Sequence, residues 1–434
     1  MIWNRRTVLS SLAGVGVGAG IQSARAQGAA PASVSPGNRG SSGVTTLNGA
    51  TLPYTIKDGV KEFRLVAQEI EHEFAPGTRV KAWGYNGRTP GPTIEVVEGD
   101  RIRVLVTNQL KEHTTIHWHG IFLPNGMDGV GGLTQPHINP GETYVYEFTL
   151  RQSGTYMYHP HADEMVQMAM GMMGLFIIHP RDGARAVDRD FAFMLHNWAV
   201  HPGTYRPDPA VMTEFDLWTI NSKVFPAIEP MVVRTGQRVR IRMANLSMHE
   251  HPMHIHGFRM RVTGTDGGPI QESAQWSEVT TLIPVGATRD VEFVADAPGD
   301  WAFHCHKSHH TMNAMGHDVP NTIGVNQSDL VPKIAGLLPG YMPMGEAGMA
   351  EHQMHAGHME GPENTMPMMT GIGPFGPLEM GGMFTLIKVR DGIESYQDPG
   401  AYKHPSGTLA YRLGGDRRVV TSAPMSPGMK MDHH

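Results

Sequence analysis

The sequence predicts an all-β fold built from two tandem β-sandwich domains, and three observations predict it. Short segments rich in β-branched and aromatic residues alternate with turns drawn from 52 glycines and 32 prolines. Neither half contains a convincing amphipathic helix. The halves are also copies of one another. Gly99-Asp100-Arg101-Ile102-Arg103 answers Gly236-Gln237-Arg238-Val239-Arg240, and His117-Trp118-His119-Gly120 answers His254-Ile255-His256-Gly257, both at an offset of 137 (236−99 and 254−117). Gly141, Glu147, Phe148, Gly154, His159 and His161 answer Gly286, Glu292, Phe293, Gly299, His304 and His306 at an offset of 145, so one insertion of eight residues (145−137) separates the copies.

Taken in order, Arg5-Arg6 precede an apolar, glycine-rich run and Ala24-Arg25-Ala26, which reads as an export signal over 1–26 with a twin-arginine character. Residues 27–55 are Ala/Ser/Gly/Pro-rich and read as a flexible leader. Strand-like segments follow at 62–70, 93–97, 101–107, 143–150 and 174–178, giving a first domain over 56–182. After a break the pattern resumes at 191–198, 215–220, 231–234, 238–244, 259–263 and 290–295. A further strand near 382–389 completes the second domain, placed at 183–327 plus 380–392. Between its parts lies an insertion, 328–379, dense in Met and His, and residues 393–434 form a tail. The net charge of −6 gives no nucleic-acid footprint, and no segment is long and apolar enough to span a bilayer. A single cysteine leaves no intramolecular disulfide and points to ligation or reactivity.

The chemistry concentrates in His304-Cys305-His306 and in three further His-x-His pairs, His117/His119, His159/His161 and His254/His256. On an extended strand, His-Cys-His turns two imidazoles to one face and the thiolate to the other, so two metal centres could lie back to back. One such pair is an ordinary surface or core feature. Four pairs at matching places in two copies are not, and eight imidazoles are about what three copper ions need. His251, Cys305, His310 and Met315 form a His₂Cys set with an axial thioether, the blue-copper donor set. Their counterparts in the first copy are Thr114, Pro160, Met165 and Met170, so only the second domain carries that centre.

The motifs His-Trp-His-Gly, His-Pro-His, His-Pro-Met-His-Ile-His and His-Cys-His-x-x-x-His resemble the four copper motifs of multicopper oxidases over roughly residues 60–325. The resemblance implies two tandem cupredoxin-like Greek-key β-sandwich domains with a Met/His-rich C-terminal insertion and tail. It implies four coppers per chain: type 1 on His251, Cys305 and His310, with Met315 as axial candidate and Met383 as its competitor. Type 2 falls to His117 and His254. One type 3 ion falls to His119, His159 and His306, and the other to His161, His256 and His304. Asp128 stands where similar enzymes place an acidic residue near the type 2 copper, and it becomes a candidate for proton delivery; its other reading is a turn residue in Asn125-Gly126-Met127-Asp128-Gly129. Only 90 residues (251−161) separate the second and third motifs, which leaves no room for a third domain. The implied protein is a two-domain, laccase-like or cuprous oxidase, periplasmic or secreted, homotrimeric, with the trinuclear cluster between subunits. It would couple one-electron oxidation of phenols or metal ions, Cu(I) among them, to reduction of O₂ to water. A copper nitrite reductase and a non-enzymatic copper carrier are the alternatives. The first keeps its thiolate in the first domain, where this chain has Pro160, and the second leaves the histidine pairs unexplained.

Overall fold

A computed structural model describes residues 43–183, 186–312, 326, 328–337, 363–364, 366 and 371–414. The first sandwich packs a five-stranded sheet (Tyr54–Lys57, Val60–Ala75, Thr78–Tyr85, Arg101–Asn108, Thr143–Thr149) on a four-stranded one (Gly91–Val97, His117–His119, Gly154–His159, Gly174–His179). Period-two patterning builds it: in Arg101–Asn108 alternate residues Ile102, Val104 and Val106 are fully buried while Arg101 faces water. Trp118, Phe63, Tyr158 and Phe176 fill the space between the sheets.

The second sandwich repeats the plan. An eight-stranded sheet, centred on Arg189–Trp198, Arg238–Asn245, Thr288–Val294 and Met260–Thr265, faces a five-stranded one. The latter contains Met231–Arg234, His251–Ile255, Thr280–Ile283, Gly299–Cys305 and Phe384–Arg390. Phe384–Arg390 arrives from beyond the Met-rich insertion, pairs parallel to Met231–Arg234 and antiparallel to Gly299–Cys305, and closes the core.

The duplication persists at the level of register. Arg103 lies opposite Glu147 and is ion-paired to it; Arg240 (103+137) lies opposite Glu292 (147+145) and is likewise paired. Asn108 amide N–H donates to the carbonyls of Glu112 and Ile138, and Asn245 (108+137) does the same to His249 (112+137) and Ile283 (138+145). Each asparagine thus ties the loop ahead of a histidine strand to its own sheet.

The two sandwiches share a buried face. Val44, Met157, Met173, Leu175, Ile177, Ala192, Met194, Ala244 and Leu246 form one apolar cluster drawn from both. This explains why Gly174–His179 and Arg189–Trp198 read as continuous apolar runs: both faces are covered. In the same face Arg242 donates to Asp190 and Thr155, and the Thr155 hydroxyl donates to Asp290. A buried charge network therefore fixes the two domains relative to one another.

Two expected boundaries move. Residues 43–55 are not a free leader: Thr45–Thr46 pairs with Phe191–Ala192, and Val44, Leu47 and Leu52 are buried. Their polar neighbours mask these three apolar anchors in the sequence. The tail is attached at its start, with Tyr402 N–H donating to Asp300 and the Tyr396 ring 3.7 Å beneath the Arg189 guanidinium. Of the Met/His-rich insertion, Val331–Leu337 is helical, Gly371–Gly373 pairs with Gly376–Leu378, and Met366 is buried with its sulfur accepting from Thr78. Its residues 338–362 lie outside the described residues. Of the methionines after the second histidine pair, Met170, Met172 and Met173 are buried and serve packing, whereas Met165 is exposed.

Candidate metal centres

Three groups of donors form where the strands end. In the first sandwich His117 lies directly opposite His159 in antiparallel register. The His117 ring centroid is 5.6, 5.3 and 5.6 Å from those of His119, His159 and His161. In the second, His254 (117+137) lies opposite His304 (159+145). Its centroid is 4.9, 5.6 and 5.4 Å from those of His256, His304 and His306. The two quartets have the same plan, with one histidine at the centre of three.

Four of the rings, two in each quartet, are set by a carbonyl behind them. His117 Nδ1–H donates to the Asp128 carbonyl (2.9 Å) and His254 Nδ1–H to the Val279 carbonyl (2.8 Å). His159 Nδ1–H donates to the Pro160 carbonyl (2.9 Å), and His304 Nδ1–H to the Cys305 carbonyl (2.8 Å). Spending Nδ1 in this way leaves each Nε2 lone pair for a metal and fixes the tautomer. Between rings, His119 Nδ1 lies 3.2 Å from His159 Nε2, and His256 Nε2 lies 3.1 Å from His304 Nε2. Burial holds the His159 imidazole down at about 3, so it stays neutral and able to ligate.

The third group is buried. The Nδ1 atoms of His251 and His310 are 3.1 Å apart, and Cys305 Sγ is 3.5 Å from His310 Nδ1 and 3.8 Å from His251 Nδ1. All three residues are fully buried. Two lone-pair nitrogens turned on each other beside a thiol make a poor apolar core and a good soft-metal site, and copper fits this donor set. Burial pushes the Cys305 thiol up to about 12 and the His251 imidazole down to about 3. A metal therefore displaces the thiol proton on binding and finds both imidazoles neutral. The loop is braced by Ser247, whose hydroxyl is 2.8 Å from His251 Nε2, and by Thr311, whose hydroxyl donates to the Cys305 carbonyl.

The first sandwich closes the equivalent position without donors. Thr114, the counterpart of His251, donates through its hydroxyl to Gln167 Oε1 at 2.7 Å, and both side chains are fully buried. A satisfied polar pair occupies the place of the metal set.

Among the expected residues, Met315 lies outside the described residues. Its competitor Met383 is fully buried, accepts from Cys305 N–H through its carbonyl (3.0 Å) and donates its own N–H to the His310 carbonyl (2.9 Å). Gly382 makes that approach possible, since a Cβ there would come within 2.3 Å of the His310 carbonyl oxygen. Asp128 is beside the first quartet, with Oδ1 3.3 Å from His117 Nδ1. Glu164 joins the first quartet without a signal in the sequence: its carboxylate lies 3.6 Å from His159 Nδ1 and 3.9 Å from His161 Nε2. It starts a six-residue helix, and no motif marks it. No ring contact joins the two quartets among the described residues; in the second, His256 and His306 are exposed, and in the first, His117, His119 and His161 are half-buried and His159 is buried.

The chain matches models described as multicopper oxidase over residues 66–183 and 202–324. Copper resistance protein A of Escherichia coli is 40% identical over 166 residues, 37% of this chain and 27% of that protein. L-ascorbate oxidase of Brassica rapa subsp. pekinensis is 38% identical over 157 residues, 34% of this chain and 27% of that protein. The chain thus spans little more than a quarter of the length of these curated relatives. The crystal structure of blue copper oxidase from Nitrosomonas europaea superposes with a TM-score of 0.56 at 27% identity, covering 76% of this chain and 85% of that one. The multicopper oxidase mgLAC gives 0.57 at 27% identity, covering 79% and 91%.

Proposed function

This chain belongs to the multicopper oxidase family, and from that premise we propose that it oxidises phenols or metal ions, Cu(I) among them, one electron at a time and passes the electrons to O₂. One observation carries the reading: Cys305 sits in the buried donor set, while the residues on either side of it, His304 and His306, belong to an outward quartet. Copper in these sites would supply one-electron redox at the cysteine set and reduction of O₂ to water at the histidine quartets.

The chain's own residues do the rest. Cys305, His251 and His310 exclude water from the first site, so the substrate stays outside it. The backbone from Cys305 to His304, within the strand Gly299–Cys305, and to His306 just beyond it links the two sites through covalent bonds. Backbone carbonyls hold the His117, His159, His254 and His304 rings with Nε2 free for a metal. Asp128 lies within reach of the His117 side of the quartet and can hold a proton there, and Glu164 can do so beside His159 and His161.

We assign His251, Cys305 and His310 to type 1, with Met315 or Met383 axial. His117 and His254 take type 2, and His119, His159, His161, His256, His304 and His306 take the type 3 pair, four coppers per chain in all. The quartets face solvent separately in one chain. The first quartet of one subunit therefore meets the second quartet of the next, in a homotrimer closed by head-to-tail contacts. Export through the twin-arginine route to the periplasm accords with Arg5-Arg6 and the apolar run after it, which lie outside the described residues. No helix among the described residues is long and apolar enough to cross a membrane.

Copper content, the visible spectrum and O₂ uptake test this together. Four coppers per chain, an intense blue band and O₂ consumption with a phenol are expected. One or two coppers with nitrite turnover and no O₂ uptake would replace the reading with a nitrite reductase. Copper binding without turnover would make it a carrier.

A further inference from the structure

The His310 ring has two working nitrogens, and only one of them faces Cys305. Nδ1 points inward to the set with Cys305 and His251, while Nε2 lies 3.1 Å from His249 Nδ1. His309 turns a nitrogen to the same place: donor atoms of His249, His309 and His310 all lie within 4.8 Å of one another. We propose that these three side chains form a further cation site, on the solvent side of the cysteine set, that binds Cu(I) as an oxidisable substrate. The inference rests on the oxidase reading above and names one substrate and its place.

Spacing supports a shared ion. Two nitrogens held by one ion at about 2.0 Å in near-tetrahedral geometry stand about 3.1–3.3 Å apart. The pairs within the quartets, His119/His159 and His256/His304, stand at 3.2 and 3.1 Å with ring centroids 5.4 and 5.3 Å apart. His249/His310 stands at the same separations, 3.1 and 5.3 Å, with its rings nearly parallel (15°) where the quartet pairs are tilted by 50° and 52°. Three imidazole-ring donors and no carboxylate in the set suit a soft or borderline cation over a hard one.

The site is accessible and braced. His309 is exposed and His249 half-buried, whereas His251, Cys305 and His310 are closed to water. His249 packs edge-on to Phe215, and its carbonyl accepts from Asn245 (2.8 Å) and Ser247 (2.7 Å). His309 stands perpendicular to the Trp218 ring, which stacks on His310. A cation held there is separated from the cysteine set by one aromatic ring.

The chemistry balances. Binding releases the His310 Nε2 proton to solvent. Each Cu(I) then gives up one electron through that ring and leaves as Cu(II), and the proton returns. Four such events, with four protons, reduce one O₂ to two waters.

Ag(I), which has the charge and softness of Cu(I) without its redox chemistry, tests the site on the copper-loaded full chain. One equivalent of Ag(I) is expected to shift the blue absorption band and the cysteine-site EPR signal saturably, because it draws electron density from the His310 ring. Silver held elsewhere, as on the Met-rich insertion, would leave both unchanged. In His249→Ala and His309→Ala the shift should need roughly tenfold to hundredfold more Ag(I), and His249→Met, which restores a soft donor, should recover part of it. The blue band of each variant reports whether the cysteine set has assembled. A band that silver never moves, or moves equally in parent and both alanine variants, would mean that His249 merely accepts a hydrogen bond from His310, and would overturn the proposal. Absence of any blue band in the parent would instead overturn the oxidase reading beneath it.

Discussion

His304 Nδ1–H donates to the carbonyl of its neighbour Cys305 at 2.8 Å, and so adjacent residues are committed to different centres. The bond turns the His304 Nε2 toward the second quartet, while the pleat sends Cys305 Sγ to the opposite, buried face. A strand accomplishes this because its side chains alternate; a helix would turn neighbours only about 100° apart.

Cys305→Ser is therefore expected to separate the two centres. The variant should lose the blue band and one copper per chain, keep the quartet coppers, and show O₂ uptake with a phenol no greater than that of metal-free protein. Copper analysis with EPR checks this. Retention of all four coppers with a blue band would remove Cys305 from the site.

Ser247 braces the other side, its hydroxyl 2.8 Å from His251 Nε2. Partners of this kind hold ligand rings in place, and their loss costs roughly tenfold to hundredfold in metal affinity. Ser247→Ala should weaken copper at the cysteine set by that factor and leave the quartets alone, as measured by chelator competition followed at the blue band.

Met383 contributes to the same site through its backbone whatever its sulfur does, since its N–H and carbonyl bridge His310 and Cys305. The two candidate axial residues are told apart by potential. Replacing an axial thioether by leucine changes the reduction potential of a blue site. Met315→Leu should raise it and Met383→Leu should leave it near the parent value. The reverse result would assign the axial position to Met383.

Much of this was legible in the sequence because the ligands sit in two copies of one strand arrangement, and the offsets of 137 and 145 carry directly into the register of Arg103/Glu147 and Arg240/Glu292. The His-x-His pairs declared themselves by recurring at matching places in the two copies. His249 and Glu164 did not. His249 reaches His310 across 61 positions through a loop tied down by Asn245, and Glu164 lies on a short helix whose place against His159 is set by tertiary packing. The leader misled for a related reason: three buried side chains in a polar stretch carry no periodicity.

Quartets that face outward on one chain predict complementation. A variant lacking the first quartet (His117→Ala with His159→Ala) and one lacking the second (His254→Ala with His304→Ala) should each fail to reduce O₂. Unfolded and refolded together, they should regain part of the activity, because some interfaces then pair two intact quartets. Trimer mass by light scattering accompanies the assay. Recovery in neither mixture nor trimer would place the cluster within one chain.

The face between the sandwiches predicts an acid limit. Burial opposes ionisation of Asp190, but Arg242 and Arg240 overcome it and hold its carboxyl below the ordinary 3.8. A carboxylate with a depressed folded value stabilises the fold fully above its unfolded value, and that stability drains away as pH falls through the folded one. Buried neutral histidines act in the same direction and begin earlier. His251 and His159 take up protons near 6.5 when unfolded but only near 3 when folded, so stability of the metal-free protein should decline steadily from pH 6.5 downward. Cys305 has the opposite sign: its raised thiol value favours the fold below 9 and ceases to do so as pH rises toward 12. The metal-free protein should therefore be most resistant to urea between about pH 7 and 9. Arg242→Met removes the partner that makes Asp190 and Asp290 tolerable inside the interface. It should cost about 3–5 kcal/mol at neutral pH and flatten the part of the acid limb below pH 4, leaving the histidine part intact. A variant as stable as the parent, with an unchanged acid limb, would show that this network does not hold the two sandwiches together.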